Sequence, residues 1–235
     1  MEKHELFKQA IETEAYSDYN KEDLLSLGIS IGSNRVTFRD LYKAYFMNES
    51  NYENKPMIGS KIEVLFDRLE DKVIIKRSKI VLEFSIQKFL EYLNLLMICF
   101  GEVYPLGSVV EIDETLLNEE FKKAVGVNVE AGISVRAVIT GRFVSLRDDS
   151  GEYVIEYVGR LRPFGEGSKV APLLLSRVMI KGVVHSGLAD EVEEADVMRL
   201  RSELINRKPL SIAFATDEQL NDLFGDMDWM KEGRD

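Results

Sequence analysis

The spacing of apolar residues changes along the chain. In residues 1–101 most apolar side chains recur every three or four positions, which is typical of helices that bury one face. From residue 134 onward they alternate with polar side chains, as in strands with one buried face. The pattern predicts an α+β protein with a helix-rich N-terminal half and a small, mainly antiparallel sheet with helices in the C-terminal half.

The N-terminal half is predicted to hold four helices and one β-hairpin. Apolar residues at helical spacing account for three of the helices. Ser60 and Glu63 form a capping-box pattern, which predicts a short fourth helix. Two β-branched runs on either side of a basic turn predict the hairpin. The helices are predicted over residues 5–16, 37–48, 60–69 and 85–101, and the hairpin over residues 73–84.

The C-terminal half is predicted to build its sheet around a second hairpin. The polar turn at residues 148–151 separates two alternating segments, which are therefore expected to pair. Further strands and helices follow from the same two periodicities. The strands are predicted over residues 105–112, 134–146, 153–161 and 178–184, and the helices over residues 115–125, 188–206 and 216–224.

A break between Gly101 and Pro105 predicts two domains and a tail. The domains are residues 1–101, mostly helical with a possible hairpin, and residues 102–210, the antiparallel sheet with helices. Residues 211–235 form an acidic tail with a short helix. This tail carries seven carboxylates against two basic residues and contains the only tryptophan.

Charge limits the partners that this chain can bind. The 235 residues include 30 Lys and Arg against 41 Asp and Glu, a net charge of -11. Such a field repels nucleic acid and anionic lipid, so neither is an expected partner. The N-terminus has no signal-like pattern, and the apolar stretch 89–100 is too short to span a membrane. A cytoplasmic protein without membrane insertion is expected, in which the single cysteine, Cys99, is buried and unreactive.

The sequence offers few residues for catalysis or metal binding. His4 and His185 are the only histidines, and with one cysteine they cannot supply the four ligands of a structural zinc. Residues 164–169 lack the spacing of a phosphate-binding loop, and the acidic runs at 148–149 and 190–196 lack the register of a calcium loop. We therefore predict a protein that is not an enzyme, with no catalytic residue, no cofactor and no metal.

Two groups of side chains are candidates for binding another protein. Arg136, Arg142 and Arg160 lie on the predicted hairpin, where even-numbered positions share the less apolar face. They predict either a docking surface for an acidic protein or a solvated face paired with carboxylates. The second group lies in the acidic tail and either packs on its own domain or inserts into a partner. Its members are Met227, Trp229 and Met230.

A family resemblance covers residues 104–194. Its motifs are Pro-Leu-Gly-Ser-Val-Val at 105–110, the strand ending in Gly-Arg at 135–142, Tyr-Val-Gly at 157–159 with Pro-Phe-Gly at 163–165, and Val-Met-Ile-Lys-Gly at 178–182. In this order they resemble a small domain family encoded beside the LXG toxins of type VII secretion systems in Gram-positive bacteria. Family members usually lack the segment 113–132, and the acidic stretch after residue 182 is displaced here.

The resemblance implies an accessory role at a bacterial toxin locus. The expected function is a cytoplasmic chaperone or targeting adaptor that holds an LXG toxin before export. The alternative is an immunity protein that neutralises the toxin. A second alternative, which follows from the residues and not from the resemblance, is a small hydrolase that uses the carboxylates Glu111, Asp113 or Glu156. Such a hydrolase requires a carboxylate of raised pKa in a concave pocket.

Overall fold

The computed structural model of the chain describes residues 3–54, 56, 59–117, 134–148, 151–163, 165, 172–215, 219, 220 and 223. The fold is α+β and contains two separate sheets. The backbone divides into two compact units. The first unit comprises Met1–Gly101 and Arg201–Lys208, and the second comprises Glu102–Leu200 and Pro209–Asp235.

Helices and one sheet form the first unit. Side chains of Asn20, Asn34 and Ser85 each accept a hydrogen bond from a backbone amide in the first turn of the following helix, which fixes where three of the helices begin. The four helices are α1 (Lys3–Ile11), α2 (Lys21–Gly32), α3 (Arg35–Phe46) and α4 (Ile86–Phe100).

The sheet of the first unit, the N-terminal sheet, is a four-stranded antiparallel meander. Its strands follow the chain order β1 (Asn51–Asn54), β2 (Ile62–Asp67), β3 (Lys72–Arg77) and β4 (Ile80–Phe84). Alternate residues on one face are buried and form the core with the helices. Phe66 packs against Phe89 of α4 with ring centroids 5.8 Å apart, and Phe84 stacks on Tyr92 at 5.2 Å.

The prediction of a helix-rich N-terminal half, with one possible hairpin, and a small, mainly antiparallel sheet with helices in the C-terminal half is wrong. Residues 51–84 form the N-terminal sheet, and the longest helix of the described residues, α5 (Glu191–Arg207), lies near the other end of the chain. The helix predicted over residues 60–69 is strand β2. Its residues Ile62, Val64 and Phe66 alternate on the buried face, so the period of two outweighs the capping-box pattern.

Basic side chains cap the C-terminal ends of three helices in the first unit. Lys21 donates to the carbonyls of Ile11 and Tyr16 after α1, each at 2.7 Å. Arg68 donates to the carbonyl of Tyr45 in α3 at 2.8 Å. The third cap, at the end of α4, is a buried arginine of α5, Arg201. Positive charge at these positions satisfies carbonyls that have no partner inside the helix and offsets the helix dipole.

The second unit is organised around a six-stranded sheet, the C-terminal sheet. The strands lie in the order β10-β7-β6-β5-β9, and β8 pairs with β7. All pairs are antiparallel except that of β10 with β7. The strands are β5 (Val109–Ile112), β6 (Arg136–Asp148), β7 (Gly151–Leu161), β8 (Leu173–Leu175), β9 (Ile180–His185) and β10 (Leu210–Ser211).

Helix α5 contributes residues to both units. Residues 191–200 are part of the second unit and residues 201–207 are part of the first. The predicted helix over 188–206 corresponds to α5. Of the helix predicted over 115–125, the structure describes a 3₁₀ segment, Glu114–Leu116, and residue 117; the rest lies outside the described residues, as does most of the predicted helix over 216–224.

Two smaller predictions concern burial and membranes. Cys99 is fully buried in α4, as predicted, and burial raises the pKa of its thiol to about 12. A thiol in this state is a poor nucleophile. Across the described ranges, no helix combines the length and the apolar character that crossing a membrane requires.

Candidate protein-docking surface

A β-bulge separates the predicted arginines onto opposite faces of the C-terminal sheet. Strand β6 pairs Ile139 with Gly159 but then pairs Gly141 with Val158, so one extra residue of β6 is inserted. The extra residue shifts the alternation of side chains along β6. After the bulge, the even-numbered residues of β6 therefore lie on the face opposite to that of Arg136. Arg142 pairs with the buried Tyr157 and therefore lies on the core face, whereas Arg136 and Arg160 lie on the outer face.

Three arginines form what we call the arginine face, defined as Arg136, Arg160 and Arg162. The amide of Arg162 donates to the carbonyl of Arg136 at 2.9 Å, so these two residues are neighbours across β6 and β7. Arg160 lies two residues before Arg162 and therefore shares its face. Arg136 and Arg162 are exposed, and Arg160 is half-buried. The outer surface of the sheet thus presents three guanidinium groups from two adjacent strands.

One ion pair borders the arginine face. Glu111 of β5 lies opposite Arg136 in the register, and its carboxylate is 2.9 Å from the ammonium group of Lys181 on β9. A hydrogen bond to Glu111 raises the pKa of Lys181, and the negative charges of Glu114 and Asp113 add to this effect. Lys181 is therefore balanced by carboxylates, and Glu111 also lies beside Arg136 in the register, so Arg160 and Arg162 complete the positive side of this surface.

Arg142 instead holds the first half of α5 to the C-terminal sheet. Its guanidinium group binds Glu193 through two hydrogen bonds and Asp196 through a third, at 2.9 Å. The Arg142 side chain is 8% exposed. Its hydrogen bond to Glu193 raises its pKa. The structure therefore places this predicted partner-binding residue inside an ionic cluster of its own unit.

Removing Arg142 is expected to loosen the first half of α5. None of residues 191–200 is buried, so charge-assisted hydrogen bonds replace apolar packing there. In Arg142→Ala we expect backbone amides of residues 194–200 to exchange with solvent about tenfold faster, which corresponds to a loss of roughly 1.4 kcal/mol. Hydrogen exchange with mass spectrometry measures this change. Arg147→Ala, which removes a 75% exposed arginine from the same strand, should leave the rate unchanged, and equal effects would contradict this role.

The three carboxylates proposed for a hydrolase all have structural contacts. Glu111 pairs with Lys181, and Asp113 accepts hydrogen bonds from the amide and hydroxyl of Thr115. Glu156 is 1% exposed, and its carboxylate accepts from the hydroxyl of Ser211 at 2.8 Å and from the amide of Arg177 at 3.0 Å. Burial raises the pKa of Glu156, against the positive charge of Arg177. A raised pKa is thus present, but on an inaccessible group that fastens β10 to the sheet.

Other predicted features lie at the surface or outside the described residues. His185 is exposed at the end of β9, and Asp190 accepts a hydrogen bond from the amide of Glu193 in the first turn of α5. Within the described part of the chain, no group of three or more His, Cys, Asp or Glu side chains is arranged to hold a metal ion. The tail residues Met227, Trp229 and Met230 lie outside the described residues, so their role stays a prediction.

No family model, no curated protein and no solved structure matches this chain.

Proposed function

We propose that this protein is a non-catalytic accessory factor that binds another protein, and that the arginine face is its docking surface. The observation that supports this is the convergence of Arg136, Arg160 and Arg162 on one sheet surface of a chain with a net charge of -11. A guanidinium group binds a carboxylate through two parallel hydrogen bonds. Arg136 and Arg160 lie in strands, and the amide of Arg162, directly after β7, is hydrogen-bonded to Arg136, so little backbone order is lost on binding. The partner segment that fits this surface is rich in Asp and Glu.

The class of partner follows from the sequence resemblance alone. We propose that the partner is an LXG toxin and that the protein serves as its cytoplasmic chaperone or targeting adaptor. An immunity protein is the alternative, because acidic surfaces neutralise basic toxins. The arginine face favours the chaperone, since like charges across an interface reject a basic partner.

Charge reversal on the arginine face tests the docking proposal. The double variant Arg136→Glu/Arg162→Glu is expected to bind the proposed partner, an LXG toxin, at least tenfold more weakly, about 1.4 kcal/mol or more, because attraction becomes repulsion. Calorimetry on purified proteins measures the affinity. The control is Arg147→Glu/Lys8→Glu, which makes the same change in net charge at two exposed side chains that belong neither to the arginine face nor to the ion pair beside it. An equal loss in the control would show that net charge alone matters, and unchanged binding in both would show that the arginine face is not the site.

Two cellular measurements separate the roles. A chaperone raises the amount of toxin exported, whereas an immunity protein protects cells from the active toxin without affecting export. Deletion of the gene is expected to lower export. Normal export with increased killing would identify an immunity protein, and a locus without any LXG gene would remove the proposed class of partner.

A further inference from the structure

The outer face of the N-terminal sheet carries charges of opposite sign on its two central strands. This face is the one that the helices do not cover. In the register of these strands, Glu63 of β2 lies opposite Lys76 of β3. Leu65 lies opposite Ile74, and Asp67 lies opposite Lys72. We call these six residues the paired face. Each of its rows therefore joins an acid to a base or an apolar residue to an apolar residue.

The centre of the paired face is apolar and accessible. Leu65 is 48% exposed and Ile74 is half-buried. Val81 of the neighbouring strand β4 is 58% exposed and lies opposite Lys76, next to this centre. The opposite face of the same strands is fully packed, with Val64, Val73 and Ile75 at 2% exposure or less. The protein thus leaves apolar side chains in solvent at the middle of a flat surface rimmed by charges, which is the arrangement of protein interfaces.

We propose that two copies of this chain pair through the paired face. The two copies would be related by a two-fold axis that runs parallel to the strands, between β2 and β3. Such an axis places β2 of each copy over β3 of the other without shifting positions along the strand. Glu63 then faces Lys76 of the second copy, Asp67 faces Lys72, and Leu65 faces Ile74. Each contact occurs twice, as in every isologous interface.

The pairing agrees with the usual geometry of packed sheets and with the charge of the chain. Two sheets pack face to face about 10 Å apart with their strands within roughly 30° of each other, so the central apolar pair stays in contact while the charged rows remain near their partners. Two chains of net charge -11 repel each other over most of their surface. Glu63 also pairs with Lys61 at 2.6 Å, and Lys72 pairs with Glu83 of β4 at 2.7 Å. With Lys61 and Glu83 included, this surface holds three acids and three bases, so it is neutral and can face its own copy without net repulsion. This inference does not depend on the proposed docking function.

Two single charge reversals and their mixture test the pairing. In Lys76→Glu, residue 76 meets Glu63 of the second copy, and in Glu63→Lys, residue 63 meets Lys76, so each variant repels itself. In a dimer that contains one copy of each variant, residue 63 of each copy meets a residue of opposite charge at position 76 of the other. Both contacts between residues 63 and 76 are therefore attractive again. Sedimentation velocity is expected to show dimers for the natural sequence, monomers for each variant alone and dimers for the mixture. Both side chains lie at the surface, with that of Glu63 44% exposed, so unfolding free energies should change by about 1 kcal/mol or less.

The control is Val36→Glu on α3, a 59% exposed apolar residue on the helical side of the unit, which should leave the dimer intact. A natural protein that sediments as a monomer at every concentration overturns the proposal. Variants that still dimerise alone place the interface elsewhere and also overturn it. A mixture that stays monomeric rejects the two-fold register.

Discussion

Replacing Glu156 by leucine is expected to lower the free energy of unfolding by about 3–5 kcal/mol. The carboxylate is 1% exposed, and the Nε atom of Arg177, itself only 9% exposed, lies 4.0 Å from it. Without the carboxylate, the guanidinium group keeps the cost of burial and loses its counter-charge. The hydroxyl of Ser211 loses its acceptor as well, so the contact that fastens β10 is removed. Denaturant unfolding followed by circular dichroism measures the change.

Two further variants show whether the ion pair causes this loss. Glu111→Leu removes a carboxylate that pairs with Lys181 at the surface, where its side chain is 25% exposed, and is expected to cost about 1 kcal/mol or less. The double variant Glu156→Leu/Arg177→Leu should recover part of the stability, because it leaves no buried charge. If Glu156→Leu lowers the free energy of unfolding no more than Glu111→Leu does, then burial of Arg177 does not require the carboxylate of Glu156, and the ion pair does not stabilise the fold.

Replacing Arg201 by alanine is expected to cost about 3 kcal/mol or more in the first unit. Arg201 is 3% exposed and donates hydrogen bonds to the carbonyls of Ile98, Cys99 and Gly101 at the end of α4, with the one to Cys99 at 2.9 Å. A buried carbonyl oxygen that loses its hydrogen-bond donor lowers the free energy of unfolding by roughly 1–3 kcal/mol when no water molecule can take the place of the donor. Thermal and denaturant unfolding of the variant measure the loss.

The matched control for this prediction is Arg207→Ala on the same helix. Arg207 pairs with Glu203 at 3.1 Å, and its side chain is 35% exposed. Such a pair contributes about 0.3–0.5 kcal/mol. An Arg201 variant no less stable than the Arg207 variant would mean that water or another group caps α4 in its place.

Local patterns were sufficient for α4 and for the hairpin of β6 and β7, whereas α2 and β1 were not predicted. Ser85 precedes a long apolar stripe, and the structure begins α4 directly after it. The alternation on both sides of residues 148–151 gave the long hairpin of β6 and β7. Residues 60–69 carry both a capping-box pattern, which favours a helix, and an alternation of apolar side chains, which favours a strand. Burial of alternate side chains over several residues stabilises more than one cap, so the strand forms.

Features that depend on one inserted residue or on distant contacts could not be predicted. The bulge after Ile139 depends on how β6 pairs with β7, and no local pattern marks it. It moved Arg142 to the core face and left Arg136 and Arg160 outside. The burial of Arg201 depends on residues about 100 positions earlier. The paired face does not follow from a prediction that makes β2 a helix, because in a helix Glu63, Leu65 and Asp67 do not share a face.

Arginine-selective modification of the protein, alone and saturated with the partner proposed above, an LXG toxin, tests the docking surface most directly. Mass spectrometry reports the reactivity of each arginine. In the free protein Arg136, Arg162 and Arg147 are exposed, so all three should react. In the complex, Arg136 and Arg162 are expected to lose reactivity while Arg147 keeps it, because only the arginine face is covered. Unchanged reactivity of Arg136 and Arg162 in a saturated complex would contradict the proposal that this face binds the partner.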